Sequence, residues 1–122
     1  MESMRALLMA SIFILASCAT HRVHEGFQRS GIASWYGPHF NRHKTASGER
    51  FNMNALTAAH KTLPFGTMVR VKCKRTGKEV TVRINDRGPY HEGRIIDLSK
   101  EAARQLGMLE SGEEEVELDP LS

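Results

Sequence analysis

The chain has 122 residues, 40% hydrophobic and 25% charged, with a formal net charge of +3 and two cysteines. That length leaves room for one small soluble domain plus appendages, and two cysteines exclude a disulfide-stapled fold. The net charge hides an asymmetry: residues 27–109 carry 15 Lys/Arg against 6 Asp/Glu, whereas residues 110–122 carry 6 acids and no base. A basic domain with an acidic end suggests an anionic partner, such as nucleic acid, a membrane surface or an acidic polymer.

The N-terminus narrows that choice. Met1 to Arg5 form a short head, and the apolar run Ala6 to Ala16 is too short to span a bilayer, so residues 1–17 read as a signal peptide. The run ends in Leu15-Ala16-Ser17-Cys18, which is similar to a bacterial lipobox, in which the Cys sulfur takes a diacylglycerol. A buried Cys in an ordinary apolar segment is the alternative. Lipidation makes the protein a membrane-anchored lipoprotein and argues against a nucleic-acid partner. Residues 18–28 are then a polar tether, and Cys73, left without a partner, reads as a small core hydrophobe.

Along the domain, Gly31 to Tyr36 reads as a first strand stopped by Gly37-Pro38, and residues 41–50 as a polar loop. Leu56 to His60 is a short strand candidate, and Leu63-Pro64-Phe65-Gly66 is a turn. Thr67 to Arg75 and Lys78 to Asn85 alternate around Thr76-Gly77 as a hairpin, with Val69, Val71 and Cys73 on its apolar face. Met68, Arg70, Lys72 and Lys74 make the other face, read as a solvated strand rather than a ligand surface. Arg94 to Leu98 is a buried run, and Ser99 is placed to cap a helix over 100–106, with Gly107 ending it. Glu115 to Leu118 alternates as a last strand. Several short strands and one helix predict a compact, mainly β barrel.

Asp86 is the first residue to suspect of chemistry. Val80, Val82 and Ile84 alternate with polar residues, and continuing that phase puts Asp86 on the core face just before Gly88-Pro89. A carboxylate there is costly unless it is paired, hydrogen-bonded or opens into a cleft. Asp97 shares a phase with Ile95 and is the rival acid. Arg87 points away from Asp86 in a strand. Trp35 and Tyr36 are candidates for stacking on a ligand, although alternation puts them on opposite faces, one of them in the core. His39 and His43 are four apart without a third ligand at suggestive spacing, so no metal site is expected.

Together these segments resemble a known family. Gly31-Ile32-Ala33-Ser34-Trp35-Tyr36-Gly37, Thr45-Ala46-Ser47-Gly48-Glu49, Leu56 to Pro64, Asn85-Asp86-Arg87-Gly88-Pro89 and Arg94-Ile95-Ile96-Asp97-Leu98-Ser99 are similar, in order, to the rare lipoprotein A (RlpA) family. The resemblance implies a six-stranded double-psi β-barrel over residues 29–119 with one or two short helices. It also implies a lytic transglycosylase that cleaves peptidoglycan glycan strands without a cofactor. One carboxyl protonates the glycosidic oxygen and then, as carboxylate, activates the muramyl C6 hydroxyl, leaving a 1,6-anhydro end. The residues implied are Glu49, His60 and Asp86. For each, an ordinary role stays open: a solvated loop acid, a packed histidine and a turn-forming Asp. Arg87 and Arg94 are candidates to bind lactyl or peptide carboxylates of the substrate. The alternative function is a non-catalytic, expansin-like barrel that grips glycan. A monomer is expected, without the C-terminal SPOR domain that many members carry. Ala19, where an Asp commonly signals inner-membrane retention, points to the outer membrane facing the periplasm.

Overall fold

The computed structural model describes residues 27–121. The signal peptide, Cys18 and the tether up to residue 26 lie outside the described residues. Six strands, β1 (Ser30–Trp35), β2 (Thr57–Ala59), β3 (Met68–Cys73), β4 (Glu79–Asp86), β5 (Arg94–Leu98) and β6 (Glu114–Pro120), close into a barrel in the order β1-β5-β2-β4-β3-β6. Among the described residues, one α-helix, α1 (Lys100–Leu106), and a short 3-10 turn at Pro38–Phe40 accompany the strands. The pairs β1–β5 and β2–β4 are parallel, and the other four are antiparallel. Closure removes free sheet edges, which suits a small barrel with no disulfide.

The β3–β4 hairpin shows how the sequence sets this fold. Val69, Val71 and Cys73 are fully buried while their neighbours Met68, Arg70 and Lys72 are exposed, so strict alternation fixes which face enters the core. Ile84, Ile96, Leu98 and Leu118 meet them inside the barrel. All three residues of β2, which lies between β4 and β5, are buried. Helix α1 packs on β4. It starts where the Ser99 hydroxyl accepts from the Ala102 N–H at 3.2 Å, and it ends at Gly107, whose φ of 74° suits glycine. Phe27, assigned to the tether from sequence, packs against the core.

The acidic end of the chain is the last strand, and it answers the basic hairpin. In β6, Asp119 pairs with Arg70 at 2.6 Å, Glu114 with Arg75 at 2.6 Å and Glu115 with Lys74 at 3.8 Å. Much of the charge asymmetry in the sequence is thus satisfied within the barrel wall. Exposed pairs of this kind each contribute little to stability, because water screens them. Their repeated cross-strand matching favours one register of β6 against β3.

Candidate active site

Strand β4 delivers Asp86 to the barrel rim, though not by the phase that alternation implies. Val80, Val82 and Ile84 are buried as expected, but Asn85 is buried too and Asp86 is only partly so. The register explains this: Ala58 faces Ile84, while the next residue, Ala59, faces Asp86. The extra residue on β4 is a bulge, which turns the Asp86 side chain off the core face.

There Asp86 borders a cavity of about 600 Å³. Its Oδ2 accepts from the Tyr36 hydroxyl at 2.8 Å, and its Oδ1 accepts from the Ala46 and Arg87 N–H groups, each at 2.9 Å. Burial, then the bond to Asp86, pushes the Tyr36 phenol far above its ordinary value, so Tyr36 stays protonated and acts as a donor. All three donors are neutral. Among the described residues, no Lys, Arg or His lies within ion-pair distance of Asp86.

Asp97, on β5, borders the same cavity in a different state. Its Oδ1 accepts from the Ser34 hydroxyl at 2.5 Å and from Arg94 Nη2 at 2.6 Å. Arg94 also donates to Ser34. Arg94 therefore borders the cavity with its charge already committed to Asp97, and its Nε is buried without a partner among the described residues.

Glu49 and His60 do not border the cavity. Glu49 sits in an exposed loop, where Arg83 forks onto both carboxylate oxygens at 2.8 and 3.0 Å and Asn85 Nδ2 donates at 2.7 Å. Those bonds hold its carboxyl below the usual range. His60 is buried, and its Nδ1 accepts from the Thr62 and Leu63 N–H groups at 3.1 Å each. Burial first, then the Arg87 and Lys61 charges, push it down to about 4, so it is a neutral imidazole that organises a turn. Its carbonyl accepts from Arg87 Nη1 at 3.2 Å, as does that of Leu63 at 2.8 Å. The Arg87 guanidinium lies 4.1 Å over the Phe65 ring and borders the cavity.

Trp35 and Tyr36 both border the cavity, although alternation would have separated them. The strand ends at Trp35, so Tyr36 follows the turn rather than the pleat. Tyr90 was missed: it borders the cavity, is 80% exposed and follows Gly88-Pro89. Its position directly after the Asp86 turn was the available signal. His39 packs tilted against Phe40 and His43 meets the same ring edge-on, and among the described residues no metal-ligating cluster forms.

A closed six-stranded barrel with an acid at its rim, beside an aromatic-walled cavity, defines a β-barrel protein with one candidate acid-bearing cleft. Residues 28–118 match the family described as lytic transglycolase, and the chain belongs to that double-psi β-barrel family. It is 55% identical over 114 residues to a probable endolytic peptidoglycan transglycosylase RlpA of Synechocystis sp., covering 93% of this chain and 34% of that protein. It is 53% identical over 95 residues to an endolytic peptidoglycan transglycosylase RlpA of Neisseria meningitidis, covering 78% of this chain and 40% of that protein. The chain thus spans between a third and two-fifths of these relatives. Among solved structures, the apo expansin of Clavibacter michiganensis superposes with a TM-score of 0.61 at 20% identity, covering 77% of this chain and 50% of that one. A Streptomyces papain inhibitor gives 0.58 at 21%, covering 75% and 94%. Both share the fold.

Proposed function

We propose that this chain is an endolytic peptidoglycan lytic transglycosylase in which Asp86 serves as acid and then as base. Protonated Asp86 gives its proton to the oxygen of the MurNAc–GlcNAc linkage, the C1–O bond breaks, and the GlcNAc side leaves as an alcohol. The muramyl C6 oxygen then bonds to C1, and its proton returns to Asp86. Atoms balance without water, and one side chain carries both transfers. Tyr36 and the Ala46 and Arg87 N–H groups fix the carboxyl. Trp35, Tyr36 and Tyr90 offer ring faces to sugars, and Arg87 offers a charge to a lactyl or peptide carboxylate.

One observation carries this reading: of the two carboxylates bordering the cavity, only Asp86 lacks a cation partner among the described residues. The names of the relatives support the substrate. The test is digestion of purified sacculi by the full chain in H₂¹⁸O. Anhydro-ended muropeptides free of ¹⁸O are expected. Reducing ends labelled with ¹⁸O would make the protein a hydrolase. Sedimentation with sacculi and no product would make it an expansin-like binder.

The same reading places the protein in the bacterial envelope, anchored by lipid on Cys18 and acting as a monomer. Cys18→Ser should move it from the membrane to the soluble fraction, and unchanged fractionation would refute the anchor.

A further inference from the structure

Beside Asp86 lies a second polar cluster that the proposed chemistry does not use. The turn Thr45–Glu49 is closed by Thr45 N–H to the Glu49 carbonyl at 2.8 Å and Gly48 N–H to the Thr45 carbonyl at 3.0 Å. This turn supplies the Ala46 N–H to Asp86 Oδ1, and its Ser47 N–H donates to the Asn85 carbonyl at 3.3 Å. Ala46 to Arg50 are all exposed, so apolar burial does little to hold the segment. Backbone bonds of Phe51 with Arg42 and His43 hold the stem of this loop, and its tip is anchored by the Glu49 carboxylate, gripped by Arg83 and Asn85 of β4.

Asn85 gives this grip its specificity. It is 2% exposed, and its Oδ1 is buried without a partner among the described residues. Turning the amide over would set that oxygen against the Glu49 oxygens, so Glu49 fixes the amide's orientation. An exposed Arg–Glu fork alone contributes little. A buried amide committed to the same carboxylate makes the contact directional, and the β4 bulge brings Asn85 inward while turning Asp86 to the cavity.

We propose that Glu49, Arg83 and Asn85 form a latch that keeps the Thr45–Glu49 turn docked, with its Ala46 N–H on Asp86. All three are positioning residues, and Glu49 moves no proton. The kinetic consequence rests on the proposed function, whereas the latch itself does not.

The test uses the full chain with hydrogen exchange at the Ala46 amide and turnover on sacculi. Glu49→Ala should abolish protection at Ala46 and lower kcat about 10²-fold, with KM little changed, whereas Arg83→Ala, which leaves the Asn85 bond, should weaken both less. Losing one donor to the carboxylate should also move the alkaline limb of the pH–rate profile, where Asp86 loses the proton it must donate, to higher pH. The charge swap, Glu49→Arg with Arg83→Glu, restores the fork, and Asn85 can turn its amide to suit. It should recover both protection and turnover to within about tenfold. Glu49→Gln keeps an acceptor for Asn85 and should retain most activity. Unchanged Ala46 protection in Glu49→Ala would overturn the latch. So would an inactive Glu49→Gln whose Ala46 amide stays protected, since Glu49 would then take part in the chemistry. If the wild type releases no anhydro product, the proposed function fails, and the protection data alone decide the latch.

Discussion

Asp86 and Asp97 border one cavity, yet they are built for different work. Asp97 is bound to Arg94 at 2.6 Å and to the Ser34 hydroxyl, so its charge is matched where it stands. Asp86 is held by a phenol and two peptide N–H groups and carries no matching charge among the described residues. Protonating Asp97 would strand Arg94, whereas protonating Asp86 strands no cation. Under the proposed function, the carboxyl that gives up and recovers a proton in each cycle is therefore Asp86, while the pair at 94 and 97, bonded to the Ser34 hydroxyl, ties β5 to β1. The same residue type thus reads as chemistry or as scaffold according to its partners.

Separating rate from stability breaks this comparison most sharply. Asp86→Asn should lower the release of anhydro-ended product by about 10²–10⁴-fold while leaving the melting temperature nearly unchanged. Equal rate losses in Asp86→Asn and Asp97→Asn, measured on sacculi, would erase the distinction. Asp97→Asn should instead cost about 2–3 kcal/mol in denaturant unfolding, because it leaves the half-buried Arg94 charge unmatched.

His60 should separate scaffold from chemistry through pH. Its folded form is held down to about 4 against an ordinary 6.5, so between these values the unfolded chain binds the extra proton. Stability therefore falls as pH drops from 6.5 to 4 and levels off below. Allowing for solvent screening, the loss is about 2 kcal/mol. His60→Asn keeps an acceptor for the turn and should lack that slope in urea titrations run across this range. The smallest effect concerns Tyr36→Phe, which removes one donor from Asp86 and should slow turnover about tenfold. A loss matching that of Asp86→Asn would mean that the phenol itself carries a proton in the reaction.

Local physics made much of this molecule readable in advance. The hairpin faces follow from alternation at Val69, Val71 and Cys73, and α1 follows from Ser99 and Gly107, each within a few residues of its effect. Asp86 was found for an incomplete reason. Its phase depends on the register between Ala58, Ala59 and β4, which is a tertiary property. The same limit applies to Glu49, whose partners Arg83 and Asn85 lie more than 30 residues away. It applies also to His60, whose ring faces Phe27 across the fold. The basic excess of the domain pointed to an anionic partner, but β6, legible as a last strand, sets part of the acidic end against Arg70, Lys74 and Arg75.

The most direct measurement is a crystal structure of Asp86→Asn holding an uncleaved glycan strand. The account predicts a MurNAc–GlcNAc linkage oxygen within about 3 Å of the side chain at residue 86, with the muramyl C6 hydroxyl on the same side. A strand seated with that oxygen at Asp97, or lying along the outer wall of β3 and β6, would contradict it.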